Sequence, residues 1–219
     1  MDEAWRGWAL LELESQVDQM AATVDQFDNE TVVRSCAPWT LKDLTEHLLG
    51  GTALWLRALD EPVDGGLNPA QVMATAPAPA APGARGAQLR DQFDLVLERY
   101  RNDPLDATCW WFAIGDWTRT DMIRRVLVEM AIHLWDAVDA TSASASIDDR
   151  VAAESSIDDT RLWIPFLSTM SEAPAEWVSL GEAGSGLGWW SGASGPDGSP
   201  AAVVTSPVAA VCLSRWGRG

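Results

Sequence analysis

Glu129 and His133 stand four residues apart in the segment RRVLVEMAIHLWDAVDA. On a helix, positions i and i+4 share one face, so the carboxylate and the imidazole can aim at a single point. Among Val, Leu, Ile, Met and Trp, such a pair must be hydrogen-bonded, protonated or bound to a metal, because burying it alone costs several kcal/mol. The chain has only one other histidine, His47, in WTLKDLTEHLLGGTALWL. It too lies in an apolar helical stripe. A lone histidine or glutamate on such a stripe is most often a satisfied core residue, and the ExxxH spacing by itself is a weak signal. The combination is more specific. Two imidazoles and one carboxylate suit Zn²⁺, Fe²⁺ or Ni²⁺ and leave positions open for water and substrate.

Four long helices must position these groups. Leu10, Leu13, Val17, Met20 and Val24 recur at spacings of three and four, which predicts a helix over 4–27. Thr40, with Asp43 three residues on, forms a capping-box start for a second helix ending near Leu59. On its wheel His47 falls inward with Leu44, Leu48, Gly51, Leu54, Trp55 and Ala58. Lys42, Glu46 and Arg57 point away. Gly50 and Gly51 remove bulk one turn below His47, which is expected to leave room for a ligand. A third helix is expected over 87–102. A fourth, over 119–140, is apolar on almost every side and therefore central. Met122, Val126, Glu129, His133, Asp136 and Ala140 lie along one of its seams. His47 and His133 should face each other across neighbouring helices, as in the metal sites of helical bundles.

Between these helices, 60–86 (EPVDGG…APAPAAPGARG) reads as an extended connection, long enough to flank a pocket. Residues 1–148 are expected to form the bundle and 149–174 a connecting helix. From 175 to 219, Gly-, Ser- and Pro-punctuated stretches predict a small α+β appendage, ending in a helix that starts at Ser206 or Pro207. The fold class is mainly α.

The net charge of −17 disfavours phosphate backbones and anionic membranes, so nucleic-acid binding is not expected. No run of eighteen or more apolar residues occurs, so no membrane span is expected. The opening MDEAWRGWALLELE lacks the order of a signal peptide. Cys36, Cys109 and Cys212 are odd in number and widely spaced, which fits reduced thiols. A cytoplasmic protein, monomer or homodimer, is expected. Thirteen tryptophans stand against one tyrosine, several of them clustered (Trp110, Trp111, Trp117; Trp189, Trp190). They can serve as core packing or as the wall of an aromatic pocket.

The blocks PWTLKDLTEHL and RRVLVEMAIHLWDAVDA resemble the two signature blocks of the mycothiol-dependent maleylpyruvate isomerase family, the actinobacterial branch of the DinB-like metal-binding four-helix bundles. Trp39, Asp43, Leu44 and His47 match the first block; Glu129, His133, Asp136 and Ala137 match the second, with Arg125 at a looser position. The resemblance implies a DinB-like four-helix bundle in which His47, Glu129 and His133 hold one divalent metal, typically zinc, with nickel or iron as alternatives. It implies mycothiol, or a similar low-molecular-weight thiol, as cosubstrate, activated as a metal-bound thiolate that attacks a small electrophilic molecule. The outcome is isomerisation or transfer. Leu213, Trp216, Gly217 and Arg218 are similar, with altered spacing, to the family's closing L-W-G-R, which implies a carboxylate-binding role for Arg218. Asp136 can orient a ligand imidazole or meet the thiol's amine; the bland alternative is a partly solvated pair with an arginine. No cysteine is near the ligands in sequence, so a soluble thiol is favoured over a protein nucleophile such as Cys109. A metal-assisted hydrolase or lyase without thiol, and a non-catalytic metal-binding regulatory module, are the competing readings. The absence of an HxxxCxxC-like spacing weighs against the regulatory one.

Overall fold

The computed structural model describes residues 2–63, 65–111, 117–158 and 208–218. They divide into two units, 1–146 and 147–219. The first contains α1 (Glu3–Gln26), α2 (Leu41–Asp60), the short α3 (Pro69–Met73), α4 (Arg85–Asn102) and α5 (Arg119–Ala140). Helix α1 packs against α4 and α5, and α2 packs against the same two, so α1 and α2 stand on a diagonal of a four-helix bundle.

Local chemistry sets the helix starts. Asp2 caps α1 by accepting from the Trp5 amide at 3.0 Å. Thr40 with Asp43, and Thr118 with Asp121, form complete capping boxes at the starts of α2 and α5. Each box satisfies amides that would otherwise be orphaned, worth about 1 kcal/mol apiece. Leu10, Leu13, Val17, Met20 and Val24 of α1 are buried, as are Leu44, Leu48, Leu54 and Trp55 of α2 and Leu89, Phe93, Val96 and Leu97 of α4. Every residue from Asp121 to His133 is buried, so α5 is the central helix. Helices α1 and α4 meet closely at Gly86, where a Cβ would come within 2.5 Å of the Ala21 carbonyl. Gly86 also donates its amide to Asp25 at 3.0 Å.

Two expectations change, and one open choice closes. The 60–86 connection contains α3, which packs on α2. The room expected beside Gly50 and Gly51 is filled: a Cβ on Gly50 would lie 3.1 Å from the Met73 side chain, and one on Gly51 3.1 Å from Trp55. The small residues admit protein side chains, not a ligand. The tryptophan cluster is packed, since Trp110, Trp111 and Trp117 are 3%, 4% and 1% exposed. Their rings lie 6.3–6.4 Å apart in sequence order.

In the second unit, α6 (Asp149–Asp158) packs against α7 (Val208–Arg215). The remainder of the expected 149–174 helix, the strands expected after 175, and Trp189 and Trp190 lie outside the described residues. Gly217, at φ +71°, ends α7 in the left-handed conformation, with the Arg218 amide donating back to the Leu213 carbonyl at 2.8 Å. This is a glycine-based helix stop, which gives the closing W-G-R a structural meaning. Among the described residues no helix is long and apolar enough to cross a membrane.

Candidate metal centre

Helix α2 contributes His47, and the neighbouring α5 contributes Glu129 and His133. Their candidate ligand atoms all lie within 4.8 Å of one another. The two imidazole rings face each other edge to face, with centroids 4.8 Å apart. His47 Nε2 and His133 Nε2 converge on a single oxygen, Glu129 Oε1, at 3.3 and 3.2 Å. The second carboxylate oxygen, Oε2, is ion-paired with the buried Arg125 one turn back on α5.

Asp136 stands behind His133. It is fully buried, and its Oδ2 lies 3.0 Å from His133 Nδ1. Asp136 therefore meets the His133 ring while buried, not partly solvated. Ser35 donates its hydroxyl to Asp136 Oδ1 at 2.5 Å, and the Cys36 thiol donates to Oδ2 at 3.4 Å. Both belong to a short 3₁₀ turn, Arg34–Cys36, in the connection between α1 and α2. On the other side, the Trp39 ring packs on His47 at 5.2 Å between centroids.

This geometry allows a fit test for a cation. In the neutral tautomer whose Nδ1–H donates to Asp136, His133 Nε2 carries a lone pair directed at Glu129 Oε1, acceptor against acceptor. A divalent ion between them removes that conflict and takes the His47 lone pair as well. The donor set fits such an ion: two imidazole nitrogens and one carboxylate oxygen, with Asp136 fixing the ring that it touches. His47 is the exposed edge of the group, with 27% of its side chain accessible against 6% for His133. The inward histidine expected from the helical wheel is thus half-buried.

Burial and the nearby His133 and Arg125 push the His47 imidazole down from its ordinary 6.5 to about 4. Its ring is neutral, and able to ligate, near pH 7. The unfolded chain takes up a proton at this residue below about pH 6.5, which the metal-free fold refuses until about 4. Its contribution to stability is complete above 6.5 and declines as the pH falls through that window. The melting temperature of the metal-free protein should drop between pH 7 and 5, and His47→Gln should flatten that part of the profile. An unchanged slope in the variant would assign the drop to other groups.

Two site residues have roles that the sequence alone does not give. Arg125 is signalled by its i−4 spacing from Glu129 and its loose place in the second block, but not as the partner of Glu129 Oε2. Cys36 carries no signal for this contact, since it lies about a hundred residues from Asp136 in sequence. Cys109 is a poor nucleophile, since burial pushes its thiol up to about 11. Arg218 belongs to the second unit, where its guanidinium donates to the Trp216 carbonyl.

Comparison with curated proteins and with solved structures found no match. The family model described as "Mycothiol maleylpyruvate isomerase N-terminal domain" matches residues 10–138, more than half of the chain. That span begins within α1 and closes two residues past Asp136, so it contains every residue of the His47–Glu129–His133 group. With the helical bundle and the site lying together inside the match, the chain belongs to the mycothiol maleylpyruvate isomerase N-terminal domain family.

Proposed function

We propose that this protein is a metal-dependent enzyme in which His47, Glu129 and His133 hold one divalent ion, zinc in the first instance. Its cosubstrate is a mycothiol-like low-molecular-weight thiol, and its substrate is a small electrophile. The convergence of both Nε2 atoms on Glu129 Oε1, inside the family match, carries the reading. When bound, the ion lowers the pKa of a coordinated thiol and so supplies a nucleophile near neutral pH. The protein's own part is preorganisation. Asp136 holds His133 by its Nδ1, Arg125 holds Glu129 by its Oε2, and Trp39 packs on His47.

The chemistry follows from the thiol. Its proton leaves to solvent, a sulfur–carbon bond forms, and the π pair of the conjugated double bond moves onto the adjacent carbonyl. Rotation and sulfur–carbon cleavage then return the thiol and give an isomer. If the enolate instead takes a proton from solvent at carbon, the sulfur–carbon bond is kept, the product is a thioether and the protein is a transferase. Arg218 is assigned, on the resemblance, to a substrate carboxylate, for which its planar two-donor fork is suited. Arg218→Lys should raise KM or lower kcat while metal content stays unchanged; unaltered kinetics would remove it from the site.

Elemental analysis of the purified protein, followed by turnover assays on a panel of electrophiles with and without added thiol, tests the reading. About one divalent ion per chain is expected, and turnover should require the thiol. Equal turnover without it would replace this reading with a hydrolase or lyase that uses water.

A further inference from the structure

The turn between α1 and α2 is about a hundred residues from Asp136 in sequence, yet it reaches it. Asp136 is a fully buried carboxylate. Such a group needs donors, and its orientation is set by where they stand. One is the ring of His133, through Nδ1 at 3.0 Å. Two more come from the turn: the Ser35 hydroxyl on Oδ1 at 2.5 Å and the Cys36 thiol on Oδ2 at 3.4 Å. The hydroxyl is the stronger donor, since a thiol donates weakly. The turn is itself anchored. Arg34 donates to the Ser142 hydroxyl just beyond α5 at 2.5 Å, and Val33 and Trp39 are joined by a backbone hydrogen bond of 2.8 Å. Removing Ser35's hydroxyl would take this donor from one oxygen of Asp136 and loosen the plane in which the carboxylate meets His133.

We infer that Ser35 is a positioning residue for the metal centre, acting through Asp136 to hold His133 with Nδ1 protonated and Nε2 free to ligate. The inference rests on the metal reading given above and adds to it a residue that touches no ligand atom.

Zinc affinity of the full chain, measured by competition with a chromophoric chelator, gives the first readout. Loss of an outer hydrogen bond of this kind weakens metal binding by about 10–100-fold. Ser35→Ala should show such a loss, Ser35→Thr should restore most of it, and Cys36→Ala should cost less than Ser35→Ala. In an Asp136→Ala background, Ser35→Ala should have no further effect, because the two act as one unit. The second readout does not depend on metal. The chain has two histidines, so ¹⁵N-labelled imidazole spectra of the metal-free protein report both tautomers directly. His133 should be the Nδ1–H form in the native protein and a mixture in Ser35→Ala. Should Ser35→Ala fail to fold, Ser35→Gly takes its place in both measurements.

The outcomes separate. If the native protein binds zinc and Ser35→Ala binds it equally tightly with an unchanged tautomer, the role of Ser35 is overturned and the metal reading stands. Additive losses with Asp136→Ala would also overturn it, since they would show a general structural effect. If the native protein binds no divalent ion, both readings fall together.

Discussion

Glu129→Gln and His133→Ala are each expected to strip the protein of its divalent ion. Structural zinc sites bind with about 10–16 kcal/mol; divided among three or four ligands, one ligand is worth roughly 3–4 kcal/mol, or some hundreds-fold in affinity. Glu129 should be the more damaging position for its size, because its Oε1 faces both imidazoles. The amide that Glu129→Gln introduces would keep the volume but lose the charge, and it would also remove the carboxylate with which Arg125 pairs. His133→Ala removes one donor and leaves Asp136 buried without the ring that it holds. Metal content by elemental analysis, with melting curves of native and variant proteins, checks both. The native protein should melt later with metal than without it, because an ion that binds only the fold stabilises by mass action. The variants should lose that difference. Full metal content in both would mean that the ligands lie elsewhere in the chain.

What could be read from the sequence was local. The Thr40–Asp43 and Thr118–Asp121 boxes are set by contacts three residues apart, and both form. The Glu129–His133 pair needs only a helix, and a sequence that is apolar on almost every side after Arg125 made that helix central. Pairing His47 with them depends on which helices are neighbours; two histidines in the whole chain, with the family resemblance, narrowed the choice. Contacts of long sequence separation left no such trace. Ser35 and Cys36 reach Asp136 across about a hundred residues, and neither looks distinctive in TVVRSCAPWT. The Gly50 misreading has a related root, since a helical wheel shows a missing side chain but not Met73 arriving from α3 to fill the space, whereas the space beside Gly51 is taken by Trp55 of the same helix. Half-burial of His47 was hidden for a related reason: a wheel gives direction, whereas exposure depends on what is packed above.

Arg125→Met should have a metal-dependent cost, and this separates a catalytic architecture from a merely packed ion pair. Arg125 is 4% exposed and its guanidinium pairs with Glu129 Oε2. Removing one partner of a buried pair typically costs about 3–5 kcal/mol, mostly because the remaining charge is left uncompensated. In the metal-free variant that charge is Glu129, facing the lone pairs of two imidazoles, so the full cost applies. With a divalent ion bound, Glu129 regains a positive partner at its other oxygen, and the cost is smaller. The melting temperature of the metal-free variant should therefore fall well below that of the native protein. Saturating zinc should recover a large part of the loss, so the gap between metal-free and loaded forms is wider in Arg125→Met than in the native chain. Methionine fills much of the arginine's volume, so a cavity is not the cause of the effect. Equal destabilisation with and without zinc would show that the two positive charges do not share Glu129, and the assignment of Glu129 as a metal ligand would fail with it.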